Sequence, residues 1–385
     1  MTGRDDLVER VRRRLAEIPE YTIAGPVESD TARIIRQEAG VISDVQVLEV
    51  LRQLRHESTG AGPLEHLLAL DGVTDVVVNG PDAVWFDTGD GLHRADAAAF
   101  ASDGDVRRLA TRLAALCGGR LDDAHPFVDG RMCRADGTVV RVHALLSPPA
   151  ENGTCISLRV LRQATLGLDA LAARGTMPQE ITDLLRHIIR SRRSLLVVGG
   201  TGSGKTTLLA ALLAEISHRE RIVCIEDTAE LHPAHPHVVT LVARRANAEG
   251  AGEITMSDLL RQALRMRPDR IVVGEIRGAE VVDLLTALNT GHDGGAGTVH
   301  ANSLSEVPAR LEALGALGGL HRTALHSQVA AAIRVVVSMR RSSDGGRRIH
   351  QIGLLEGNPV TVVPVWDSGA GKLGGFGALT EVLDE

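Results

Sequence analysis

Apolar and polar positions fall into blocks whose period changes along the chain. Over residues 1–58 the apolar positions recur at helical spacing: Leu7, Val11, Leu15 and Ile18 share one stripe, and Ser43 to Leu54 carries a second. The segment is predicted to be helical, its stripe serving either to pack internally or to dock a partner. Residues 59–163 are predicted to form a small α/β domain. Val73 to Asn79, Ala83 to Asp87, Thr138 to Leu145 and Thr154 to Val160 read as strands. Gly89-Asp90-Gly91 supplies hairpin chemistry, and Ser147-Pro148-Pro149 breaks the chain between two strands. Asp103 is placed to cap a helix running to Leu116, with Leu109, Leu113 and Leu116 on its apolar face. Residues 164–177 read as a linker.

From residue 178 to 385 the rhythm becomes an alternation of strand and helix patterns. Ile181–Arg190, Thr206–Ile216, Met256–Met266 and Ala279–Leu288 read as helices. Ser194–Val198, Ile222–Ile225, Ile271–Gly274 and Thr298–Val299 read as strands. Such a succession predicts a mainly parallel sheet covered by helices, in which ligands bind beyond the C-terminal ends of the strands.

Composition narrows the class. A chain of 385 residues with 44% apolar content buries two or three cores, and aromatics at 2% leave those cores to Leu, Val, Ile and Ala. No apolar run reaches the roughly 18 residues of a membrane span. Met1 to Asp6 lacks the basic-then-apolar layout of a signal peptide. The four cysteines, Cys117, Cys133, Cys155 and Cys224, form no C-x-x-C pair, which suits a reducing cytoplasm and small buried side chains. A net charge of −7 counts against a general polyanion binder. Of 42 basic residues only Lys205 and Lys372 are lysines.

Lys205 lies in the chemical centre of the sequence. Gly199-Gly200-Thr201-Gly202-Ser203-Gly204-Lys205-Thr206 matches G-x-x-x-x-G-K-[ST], between the apolar strand Leu195–Val198 and a helix opening at Thr207. Glycines let the backbone wrap a phosphate, and the helix N-terminus favours anions. Lys205 would reach the β- and γ-phosphates, and the Thr206 hydroxyl would ligate Mg²⁺. Glu275 closes the apolar run Ile271–Gly274, where it is placed to polarise water or hold the magnesium shell. Glu226 and Asp227 follow another strand and read equally as water-positioning acids or as a solvated turn. His300 ends a strand-like segment and suits a γ-phosphate sensor; His292 precedes it. His232, His235 and His237 resemble a metal tract but have no cysteine partner or ordered helix to complete one.

These segments in this order resemble the type II/IV secretion ATPase superfamily. The resemblance runs almost continuously over Ala61–Asn302, including Gly62-Pro63-Leu64 and Val77-Val78-Asn79-Gly80-Pro81. It is nearest to the CpaF/TadA-like branch of Flp/Tad pilus assembly and conjugation-related systems. It implies a RecA-like P-loop ATPase domain using ATP and Mg²⁺. It also implies a hexameric ring at the cytoplasmic face of the inner membrane and a membrane platform protein as partner; charge and scarce aromatics add the expectation of no direct nucleic-acid binding. Residues 199–207 become the Walker A segment, with Thr207 completing the nucleotide-binding set. Glu226 belongs to the Asp box, Glu275 to Walker B, and His292 and His300 to the His box. Arginines of the N-terminal domain reach the phosphates in this family; the matching positions are Arg131 and Arg141, then Arg120. Gly295-Ala296-Gly297 stands where bulkier residues are usual, which predicts a looser loop before His300. Two rivals remain: a nucleic-acid motor, disfavoured by charge and scarce aromatics, and a non-hydrolysing regulator, disfavoured by the intact acids.

Overall fold

A computed structural model describes residues 35, 37, 60–95, 100–134, 136–161, 166–244, 246, 250–342 and 345–384. The helices expected over residues 1–58 lie outside this set, apart from Ile35 and Gln37. The chain divides into two compact units, Met1–Arg162 and Gln163–Glu385.

The first unit opens with a short helix α1 (Glu65–Leu68) and strands β1 (Asp75–Asn79), β2 (Val84–Asp87) and β3 (Leu92–Arg94). Helix α2 (Asp103–Leu116) precedes β4 (Phe127–Cys133), β5 (Val139–Leu145) and β6 (Cys155–Leu161). The six strands pair antiparallel in the order β3-β2-β1-β6-β5-β4. Their alternation turns Val76, Val78, Val140, Val142, Ile156 and Leu158 inward, onto Val106, Leu109, Ala110 and Leu113 of α2. Two expectations for α2 change. Leu116 is exposed, because it sits at the helix end on the margin of the stripe. Asp103 does not cap the helix: Ser102 holds the N-cap position, and the Asp103 carboxylate accepts from Thr154 N at 2.6 Å and Thr154 Oγ1 at 3.2 Å. Of the four cysteines expected to be buried, Cys224 is, Cys117 and Cys155 are half-buried, and Cys133 is exposed because it ends an edge strand.

The second unit begins one residue before the segment read as a linker and includes all of it. Residues Leu168–Ala173 form helix α3, and Leu168, Leu171 and Met177 are buried in the core that follows. Then come α4 (Gln179–Arg190), β7 (Leu195–Val198), α5 (Lys205–Ala214), β8 (Ile222–Glu226) and β9 (Val238–Val242). Helix α6 (Met256–Ala263) starts at a capping box in which Thr255 and Asp258 satisfy each other's backbone N–H groups. It leads to β10 (Arg270–Ile276), α7 (Glu280–Leu288), β11 (Ala296–Val299), α8 (Val307–Leu317) and α9 (Arg322–Ala332). The chain closes with β12 (Val335–Arg341), β13 (Arg347–Glu356), β14 (Thr361–Asp367), β15 (Gly371–Lys372) and α10 (Phe376–Asp384).

These nine strands form one sheet in the order β15-β14-β13-β12-β7-β11-β10-β8-β9. The segment from β12 to β9 is parallel, and β13, β14 and β15 add antiparallel strands at one side. One face packs on α3, α4, α5 and α10, the other on α6, α7, α8 and α9. Strand β7 is buried at every position, as a central parallel strand covered on both faces must be. Residues 295–297, expected to loosen the loop before His300, are instead buried strand or strand entry. A Cβ on Gly295 would lie 2.6 Å from the Ile271 carbonyl oxygen, and one on Gly297 2.9 Å from Ile276 Cδ1. Close strand and side-chain packing therefore requires these glycines. Among the described residues, no helix is long and apolar enough to cross a membrane.

Candidate active site

Strands β7, β11, β10 and β8 run parallel, so their C-terminal ends share one edge of the sheet. The glycine loop follows β7, Glu226 ends β8, Glu275 lies at the end of β10, and His300 follows β11. The loop needs its glycines: φ is +152° at Gly199, +71° at Gly202 and +94° at Gly204, the residue that starts α5. Ser203 is buried and its hydroxyl donates to the Gly200 carbonyl at 2.8 Å. Lys205 is buried as well; its Nζ donates to the carbonyls of Gly199 at 3.0 Å and Gly200 at 2.9 Å. Burial lowers the Lys205 pKa, opposed by the Glu275 carboxylate and reinforced by Arg277. Thr206 and Thr207 are half-buried in the first turn of α5. Thr201, at the loop tip, is exposed.

Glu275 is held between Arg277 and His300. Arg277 donates to its Oε2, and His300 Nε2 touches its Oε1 outside hydrogen-bond geometry. The other Arg277 terminal nitrogen donates to Asp227 at 2.8 Å, so one guanidinium joins the ends of β8 and β10. The turn beneath it is fixed by Glu280, whose carboxylate accepts from Arg277 N at 2.6 Å and Gly278 N at 2.8 Å. His300 has its pKa lowered, first by burial and then by the Lys205 charge, with Glu275 opposing. An imidazole in that field is neutral near pH 7 and can report on charge arriving beside Lys205.

Glu226 is the more deeply buried acid. Its Oε2 accepts from the backbone N–H groups of Glu230 at 2.9 Å and Leu231 at 3.0 Å. Among the described residues its Oε1 is buried without a hydrogen-bond partner. Burial pushes this carboxyl up to about 7 against those two bonds, and the charges of Glu230 and Asp227 add to the rise. A carboxyl titrating there can exchange a proton with water at neutral pH. Gly274 makes room for it: a Cβ there would lie 2.8 Å from Glu226 Cγ.

Lys205, Glu275 and His300 thus meet at one edge, with Glu226 ending the neighbouring strand β8. His292 does not join them. It precedes β11 at the opposite edge of the sheet, where its Nδ1 meets the Ala287 carbonyl at the end of α7 at 3.3 Å. The three expected arginines lie in the first unit. Arg131 on β4 faces Arg141 on β5, which faces Arg159 on β6. Asp129 holds Arg141 through two bonds of 3.1 and 2.8 Å, and Arg120 pairs with Asp122. His235 bonds the Ser217 carbonyl at 3.1 Å and packs edge-on against His218, and no group of metal-binding side chains occurs among the described residues. Sequence reasoning gave Arg277 no role; its signal was a guanidinium two residues beyond the acid near the end of β10.

The loop and its acids fit a nucleotide polyphosphate with a magnesium ion. The positive-φ glycines open backbone N–H groups at a helix start, Thr206 offers a hydroxyl, and Glu226 Oε1 is an acceptor with no partner among the described residues. The sequence profile of the family described as type II/IV secretion system protein matches residues 57–345. A putative conjugal transfer protein of Mycobacterium tuberculosis is 58% identical over 348 residues, 89% of this chain and 98% of that one. The type IV secretion system protein PtlH of Bordetella pertussis is 33% identical over 310 residues, 73% of this chain and 89% of that one. Among solved structures, the pilus retraction motor PilT with bound ADP is similar in fold, with a TM-score of 0.56 and 22% identity. It covers 77% of this chain and 83% of its own.

Proposed function

The chain belongs to the family of type II/IV secretion system proteins, and from that premise we propose that it hydrolyses ATP with Mg²⁺ to drive a secretion, conjugal-transfer or pilus-assembly machine. Its second unit is a RecA-like P-loop ATPase core. The observation that carries the reading is the buried Lys205 in its glycine loop, on the same sheet edge as Glu275, His300 and Glu226. In this reading the loop N–H groups and Lys205 bind the β- and γ-phosphates. Thr206, with Glu275, would hold the magnesium ion, which supplies charge neutralisation at the phosphates. Glu226 and Glu275 order the attacking water and take its proton, while His300 senses the γ-phosphate through the Glu275 carboxylate. The protein works as a hexameric ring at the inner face of the cell membrane, against a membrane platform protein. It belongs to the CpaF/TadA-like branch. Arg141 and Arg131 are supplied to the γ-phosphate, by their own or a neighbouring subunit, where a guanidinium stabilises developing charge.

Phosphate release by the full chain in Mg²⁺ and ATP tests the reading. Turnover, raised by acidic-lipid vesicles and indifferent to single-stranded DNA, is the expected result. Stimulation by single-stranded DNA would favour a nucleic-acid motor of a conjugation-type system. Nucleotide binding with no turnover under any of these conditions would leave a regulator.

A further inference from the structure

The antiparallel hairpin β12–β13 sets two pairs of like charges directly opposite one another. Arg340 faces Arg348, and Arg341 faces Arg347. All four are exposed. Like charges set opposite one another repel, and the Arg341–Arg347 pair lies beside the phosphate loop. The Met339 carbonyl abuts Gly199, and Arg347 Nε donates to the Gly202 carbonyl at 3.0 Å. A Cβ on Gly204 would lie 3.2 Å from Arg347 Cδ and 3.4 Å from Met339 Cε, so this glycine admits the arginine stem against the loop. Directly opposed residues share a face, and residues two apart along a strand do too. Arg341, Arg347 and Met339 therefore stand on the face that meets the phosphate loop.

We propose that Arg347 is a positioning residue for the phosphate loop, and that the Arg341–Arg347 pair forms a cationic wall that favours nucleoside di- and triphosphates over less charged nucleotides. The proposal rests on the ATPase reading and extends it to the C-terminal strands. A peptide unit is planar, with its C=O and N–H pointing opposite ways. Holding the Gly202 oxygen outward therefore turns the Ser203 N–H toward the loop interior. On that inner side, Lys205 Nζ and Ser203 Oγ both bond the Gly200 carbonyl. The loop is gripped from two sides, and the outer grip comes from a residue 145 positions away in sequence. Among the described residues no partner is seen for the terminal nitrogens of Arg347, which leaves its fork available to an anion.

The experiment measures steady-state phosphate release and binding of ADP and AMP for the full chain and for Arg347→Ala, Arg347→Lys and Arg341→Ala. The expected result for Arg347→Ala is a KM for ATP raised roughly tenfold with kcat within about twofold, the pattern of a lost charge-assisted contact that binds without acting on the transition state. ADP affinity falls in parallel and AMP affinity changes little. Arg347→Lys restores part of the loss, because a charge and a donor return without the fork. Arg341→Ala gives a smaller rise in KM that fades at high salt, as screening predicts. An unchanged KM in Arg347→Ala overturns the proposal, as does an equal loss of ADP and AMP affinity. Should Arg347→Ala fail to fold, Arg347→Lys decides: KM at the wild-type value overturns the proposal, and an intermediate rise supports it. A wild-type chain that neither binds nor hydrolyses ATP sinks the ATPase reading itself, and is distinct from these outcomes.

Discussion

Lys205 shows how much one side chain can be asked to do. It is one of two lysines among 42 basic residues, and it is buried with its ammonium on two loop carbonyls. A guanidinium is planar and broader, so Lys205→Arg keeps the charge and loses the fit; phosphate release is expected to fall roughly a hundredfold or more. Near-normal release from that variant would remove Lys205 from the phosphate site. The two acids differ in a way their spacing did not show. Glu275 lies between Arg277 and His300, whereas Glu226 is buried with its carboxyl pushed up to about 7. Between the ordinary 4.5 and about 7 the folded chain therefore holds a proton at Glu226 that the unfolded chain has released. Stability must fall as pH rises through that window and level off above it. Glu226→Gln abolishes the slope. From pH 5 to pH 8 the wild type should lose about 2–3 kcal/mol more than the variant, read from urea or thermal melts. Equal losses would mean that Glu226 titrates normally. In nucleotide-binding and phosphate-release assays Glu275→Gln is expected to keep ATP affinity and lose turnover, and a parallel fall of both would make Glu275 a binding residue.

At the scale of elements, the readable parts were those whose signal is local. The strand Leu195–Val198, the loop and the helix after it follow one another in the chain, and each is marked by apolar runs or glycine. The strand ends at Glu226 and Glu275 were likewise legible. The antiparallel addition β13–β15 was not, because its pairing partners are set by the sheet and leave no local period. Arg347 reaches Gly202 across 145 positions, and no spacing rule connects them. The β11 glycines mislead for the opposite reason: sequence reads glycine as slack, but here it marks crowding. Gly297→Ala would set a methyl 2.9 Å from Ile276 Cδ1 and 3.2 Å from the Val273 carbonyl oxygen. Ile276 can turn aside while the backbone oxygen cannot, so a loss of about 1–3 kcal/mol is expected from denaturant unfolding. A neutral or stabilising Gly297→Ala would show that β11 has room to spare.

At the scale of the whole molecule the two units must cooperate if arginines of the first serve phosphates in the second. Arg141, now held by Asp129, would exchange one anionic partner for another. Arg141→Ala is expected to bind nucleotide within about threefold of wild type and to lose most turnover. Mixing it with Glu275→Gln subunits separates two arrangements. If the arginine comes from a neighbour in the ring, some interfaces pair an intact arginine with an intact acid, and part of the activity returns. If it comes from the same chain, the mixture stays inactive. Normal turnover by Arg141→Ala alone would leave Arg131 or Arg120 for the role. The sheet itself has a mechanical order. Strand β7 is hydrogen-bonded on both sides, by β12 and β11, and covered on both faces, while β9 and β15 lie at the borders. Fraying in a sheet starts at its borders and reaches the middle last. A pull from a partner on either border would therefore be absorbed by peripheral strands, and the glycine loop, rooted on the middle strand, would keep its shape while the borders flex.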